Sequence, residues 1–186
     1  MKKIPFIGAI ILFAFSFAQA QKTNDAIQKQ IKSLKADKQI TLTYDSGSNS
    51  SKIFIRADNF ADAEAKKAGI QAMNFGMAIN YAGNALPAPP ETIDLAFWVM
   101  SKKPVFAQTH NWTVALGKDI LDLGDARYGA KSRENMEYLN FKIKRDDLAK
   151  FAAASNVKFH LGTFEFTFTP AQLTLFKNVL SVSDSH

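Results

Sequence analysis

The sequence predicts a mainly β fold, an antiparallel β-sandwich or flattened barrel of about eight to ten short strands, with short flanking helices that include an N-terminal and a C-terminal one. Three observations point there. Apolar residues alternate with polar ones in run after run, the period of a strand with one buried face. The runs recur at spacings of roughly ten residues, separated by Gly, Pro, Asn and Ser. Helical spacing is confined to a few segments, two of which carry start signals. With 186 residues, 47% hydrophobic and 22% charged, the chain suits one packed core and leaves no room for a second large domain.

Taken in order, Ile27, Ile31 and Leu34 recur at helical spacing between Asn24 and Asp37, an amphipathic helix with a narrow apolar stripe, expected on the surface or as a connector. Ile40, Leu42 and Tyr44 alternate, Gly47 to Ser51 turns, and Ile53 and Ile55 resume, giving a hairpin. Asn59 to Ala68 favours a helical turn or an exposed connection. Met73, Phe75, Met77, Ile79 and Tyr81 form one face of a central strand, and Gly76 and Ala78 on its other face predict close packing on both sides. Gly83 to Pro90 is a loop, since Pro87, Pro89 and Pro90 deny a sheet its donors.

Ile93, Leu95, Phe97 and Val99 alternate next. A second hairpin runs through Trp112, Val114 and Leu116, turns at Gly117 to Asp119, and returns from Ile120 to Leu123. Gly124 to Glu134, polar and holding two glycines, is expected to be the longest loop of the second half. Leu139, Phe141 and Ile143 make a strand, and Asp146 caps a helix reaching about Ser155. Val157, Phe159 and Leu161 pair through Gly162 with Phe164, Phe166 and Phe168. Thr169, Pro170 and Gln172 then form the start of a helix burying Leu173, Phe176 and Leu180.

Residues 1–20 read as a secretory signal peptide: Lys2 and Lys3, an apolar run to Ala18, and the small-residue site Ala18-Gln19-Ala20. The apolar run is shorter than the roughly 20 residues of a comfortable membrane span, so retention as an anchor is the minor alternative and no integral span is expected after cleavage. The expected division is then residues 21–38 as helix or connector, 39–182 as a single β-sandwich domain, and 183–186 as a tail. The predicted compartment is periplasmic or extracellular. Cysteine is absent, which excludes disulfides, thiolate metal sites and thiol nucleophiles and leaves stability to packing. The formal charge of +6, part of it in the leader, is too small and too dispersed for a nucleic-acid footprint.

Recognisable chemistry is scarce. The run Gly124 to Ser132 resembles a phosphate-binding loop but fails it, because Ala130 separates Gly129 from Lys131 and no helix pattern follows. Three histidines without paired spacing predict no metal site and no cofactor. No Gly-x-Ser-x-Gly or Ser-x-x-Lys nucleophile motif occurs. What remains is a cationic loop, Arg127, Lys131 and Arg133 beside Tyr128, with His110 and Trp112 as a neighbouring patch, able to hold an anionic group against an aromatic platform.

The main functional expectation is an exported, non-enzymatic domain that binds a protein or envelope component through loops at one end. Two alternatives stand beside it. One is a carrier of lipid or a small apolar ligand in a cavity lined by some of the 16 phenylalanines. The other is a hydrolase of cell-wall or polysaccharide substrates, which needs two carboxylates, or a His and a carboxylate, across one cleft.

Overall fold

The computed structural model describes residues 24–36, 38–57, 63–131 and 135–185, so the expected leader and Arg133 lie outside the described residues. Two antiparallel sheets of six and four strands, with short helices at both ends of the chain, make the expected sandwich. After helix α1 (residues 24–33) come β1 (Ile40–Asp45), β2 (Ser50–Ala57), the short α2 (Ala63–Lys67), β3 (Ile70–Ala82) and β4 (Thr92–Ser101). Next are β5 (Asn111–Leu116), β6 (Asp119–Asp125), β7 (Arg127–Lys131) and β8 (Met136–Lys144). The chain ends with α3 (Arg145–Ala153), β9 (Val157–Leu161), β10 (Phe164–Thr167) and α4 (Pro170–Ser183).

The larger sheet has the order β1-β2-β3-β4-β8-β7 and the smaller β10-β9-β5-β6. Alternation sends Met73, Phe75, Met77, Leu95, Phe97, Leu139 and Phe141 inward from the first, against Trp112, Val114, Phe159 and Leu161 of the second. Phe97 bridges the sheets, its ring centroid 5.6 Å from Trp112 and 5.7 Å from Phe159. Phe168 lies 4.5 Å from Phe159 and 4.9 Å from Phe176 of α4, which in turn lies 5.7 Å from Phe75. These rings are in mutual contact and join the two sheets and α4 in one aromatic cluster.

The expected N-terminal connector is packed down. Ile27 and Ile31 are buried in the core cluster, and the Gln30 side-chain amide donates to Ser181 Oγ of α4 at 2.6 Å. Helix α4 begins as its sequence predicts: Thr169 Oγ1 accepts from the Gln172 N–H at 3.3 Å, and Gln172 Oε1 accepts from the Thr169 N–H at 2.8 Å. Thr169→Ala should therefore cost about 1 kcal/mol, measured by chemical denaturation; an unchanged midpoint would contradict a role for the cap. At α3 the expected cap is displaced: Lys144 occupies the N-cap without a side-chain bond, and Asp146 sits in the first turn, where its charge still favours the helix N-terminus.

The main departure is the expected loop Gly124 to Glu134. Strand β6 continues to Asp125, the chain crosses from the small sheet to the large one at Ala126, and β7 resumes at once beside β8. A register shift between Asn111 and Thr113 and the left-handed backbone of Gly124 (φ 76°) supply the bend, and the Ala126 N–H donates to His110 O at 3.1 Å. Polar residues populate this corner because much of it faces solvent. Among the described residues no helix is long and apolar enough to cross a membrane.

Candidate functional site

Strand alternation along β7 divides the predicted binding residues between two faces. Tyr128 pairs with Leu139 and points to the inner side, whereas Arg127 pairs with Asn140 and Lys131 with Met136 on the outer side. Lys131 Nζ lies over the Tyr138 ring, 5.7 Å from its centroid. Trp112 is not on the surface at all. It is fully buried among Phe97, Phe141, Phe151 and Phe159, because it occupies the inward face of β5, so its predicted place in a binding patch is corrected.

His110 and Tyr128 do meet, their rings stacked with centroids 5.5 Å apart. The Tyr128 hydroxyl donates to Glu137 Oε1 at 3.1 Å, and the Phe106 N–H donates to the same oxygen at 2.9 Å. The Val105 N–H reaches Oε2 at 2.9 Å and the Ser101 hydroxyl at 3.2 Å. Glu137, 2% exposed, is thus a carboxylate saturated by four donors, two of them consecutive backbone N–H groups of the connection from β4 to β5. His110 Nδ1, 3.1 Å from Phe106 O, closes the same arrangement.

Burial first, and then the Glu137 carboxylate, push the Tyr128 phenol above its ordinary 10.0. A raised phenol holds its proton more tightly in the folded chain, so its stabilising contribution is complete below the ordinary value and is lost as pH rises through the folded one. Alkaline stability should therefore fall less steeply in Tyr128→Phe than in the parent chain; identical pH profiles would contradict this.

The outer face of the large sheet has a different character. One cross-strand row reads Arg56, Gly76, Ala96, Asn140, Arg127, and the next reads Phe54, Ala78, Asp94, Lys142. Gly76, Ala78 and Ala96 form a low floor between taller side chains, leaving an open trough of about 780 Å³. Trp98 lies across Gly76: a Cβ there would meet the indole Cη2 at 2.6 Å and Ile55 O at 2.9 Å, so only glycine fits beneath it. Trp98 is half-buried, and Phe54 meets its ring edge-on at 6.1 Å between centroids. The small residues of β3 are therefore not under a second packed layer, as alternation suggested; they underlie an indole and an open channel.

Polar groups ring this floor. Asp94 accepts from the Asn80 side-chain amide at 2.9 Å and pairs with Lys142 at 3.4 Å, while Lys52 Nζ sits 5.0 Å from the Phe54 ring centroid. From the sheet-crossing corner come Leu123, Asp125 and Arg127. The Arg127 guanidinium is exposed and has no hydrogen-bond or ion-pair partner among the described residues, although its backbone carbonyl accepts from Asn140 at 3.4 Å. Charge singles out Arg127 in the sequence, whereas Trp98, Phe54 and Asn140 carry a weaker signal, the outward half of strands whose inward half is apolar.

Elsewhere, His160 is half-exposed on the small sheet, 3.4 Å from Glu165, whose carboxyl is held below its ordinary value by the Lys158 hydrogen bond and charge. Among the described residues no group of three or more His, Asp or Glu could hold a metal ion. No family model, no curated protein and no solved structure matches this chain.

Proposed function

We propose that this chain is an exported, non-enzymatic binding domain of the cell envelope or secretome, whose ligand lies in the trough on the outer face of the large sheet rather than at a loop end. The observation that carries the reading is the pairing, in one open trough, of a half-buried tryptophan with an arginine whose guanidinium has no partner among the described residues. Packing over Gly76 accounts for the underside of the Trp98 ring. It does not account for an uncommitted guanidinium on the same face, nor for a floor kept low by Ala78 and Ala96. The size lies within the roughly 300–1,000 Å³ of small-ligand sites, and an apolar platform with a few convergent polar groups is the usual composition of such sites. Export rests on the leader pattern of residues 1–20.

The test is calorimetric titration of the purified protein with a panel of acidic oligosaccharides, neutral oligosaccharides, short peptides and fatty acids. At least one class should bind, with binding lost in Trp98→Ala and kept in Tyr128→Phe, whose side chain is on the inner face of β7. The reading fails if no class binds, or if every binding class is indifferent to Trp98→Ala.

A further inference from the structure

We infer that the ligand class is an oligosaccharide bearing carboxylates, a chain containing uronic acids; this rests on the trough being the binding site. The first element is Trp98. A pyranose ring presents an apolar face of C–H bonds, and a half-buried indole fixed from below by Gly76 is a rigid platform of matching shape, ordered before the ligand arrives. Phe54 braces its edge, so that little conformational freedom is lost on stacking.

The second element is the distribution of polar groups. A flat fatty chain or an apolar peptide would leave Asn80, Asp94, Asn140 and Asp125 facing it without function, whereas sugar hydroxyls, each both donor and acceptor, match a mixed rim of amides and carboxylates. Asp94 is already fixed in orientation by Asn80 and Lys142, so its lone pairs point in set directions.

The third element is charge. The trough lining carries Lys52, Arg127 and Lys142 against Asp94 and Asp125. Lys142 is engaged with Asp94 and Lys52 with the Phe54 ring, which leaves Arg127, among the described residues, as the cation available to an incoming group. Its planar fork matches a carboxylate bidentately, a geometry a lysine does not offer. Trp98 is on β4 with its indole lying over Gly76 of β3, and Arg127 is on β7, so along the row Gly76, Ala96, Asn140, Arg127 three strand spacings of about 4.8 Å separate the backbone beneath the indole from that of Arg127. One ring on Trp98 and the carboxylate of another on Arg127 fit that separation, the reach of a short oligosaccharide rather than of a single sugar.

The experiment titrates the purified full chain with oligomers of galacturonate and of mannuronate, each as the free acid and as its methyl ester, which keeps the sugar and removes the charge. At least one free acid should bind, its ester about ten- to hundredfold more weakly, and Arg127→Gln should lower the affinity for the acid to that for the ester. Trp98→Ala should abolish binding of both. Circular dichroism of the two variants checks that each is folded, and Lys131→Gln, on the same face but outside the trough, should leave the affinity unchanged. If acid and ester bind equally with Trp98→Ala still abolishing binding, or if a peptide or fatty acid proves to be the Trp98-dependent ligand, the uronate inference is overturned while the trough remains the site. If no ligand of any class depends on Trp98, both fall.

Discussion

Glu137→Ala should cost about 3–5 kcal/mol of stability, among the largest effects of any single change of a polar side chain in this molecule. The carboxylate is buried and accepts from Val105 N–H, Phe106 N–H, Ser101 and Tyr128. Removing it strands two backbone donors away from water, each at about 1–3 kcal/mol, and forfeits charge-assisted bonds worth more than neutral ones. Phe106, fully buried and 5.4 Å from Phe164, would lose the anchor that holds its backbone in place. Denaturant midpoints give the size of the loss, and amide exchange gives its location: protection at Val105 and Phe106 should fall before that of β3 and β4. Glu137→Gln should be intermediate, because an amide returns one acceptor but turns a donor toward donors. A Glu137→Ala variant within 1 kcal/mol of the parent, on the order of ordinary surface changes, would contradict the anchoring role.

Trp112→Ala should cost a comparable 3–5 kcal/mol, and Trp112→Phe far less. The indole is fully buried and touches four aromatic rings, the nearest Phe141 at 4.8 Å, so truncation leaves a large cavity between the sheets. Its Nε1, however, has no hydrogen-bond partner among the described residues. A buried donor without a partner costs about 1–3 kcal/mol, so replacing the indole by a phenyl ring loses packing and removes that penalty together. The two variants should differ by more than 2 kcal/mol by denaturation, on the scale of core truncations; equal losses would contradict the account of the site in terms of cavity and unpaired donor.

These two positions also show how far the sequence could be read. Hairpins such as β1–β2 and β9–β10 were legible because Ile40, Leu42, Ile53 and Ile55, or Phe159, Leu161 and Phe166, alternate without interruption around a turn residue. The start of α4 was legible because Thr169, Pro170 and Gln172 act within one turn of chain. Strand β7 was not, since Gly124, Gly129 and the charges around them look like a loop when the pairing partner, β8, is invisible. The same blindness placed Trp112 in a surface patch: its neighbourhood beside His110 is polar, and only the inward turn of β5 buries it.

The trough was illegible for a related reason. Asn80, Asp94 and Lys142 meet because β4 lies between β3 and β8, and β8 reaches β4 only after the chain has left for the small sheet and returned. Strand order is a long-range property that alternation does not encode. Reading strands for their apolar face also passes over Trp98, which sits between Phe97 and Val99 and faces the other way. Of the described residues that the sequence singles out, Arg127 belongs to the trough; charge is the signal for it, and its register opposite Asn140 places it there.

The most direct test of the account is amide NMR of the isotopically labelled protein during titration with oligogalacturonate and oligomannuronate, followed at the Trp98 indole and along β3, β4, β7 and β8. The largest shifts should fall on the Trp98 indole N–H and on Gly76, Ala78, Ala96, Asn140 and Arg127. Shifts centred on His110, Tyr128 and the connection from β4 to β5, or none at all, would contradict it.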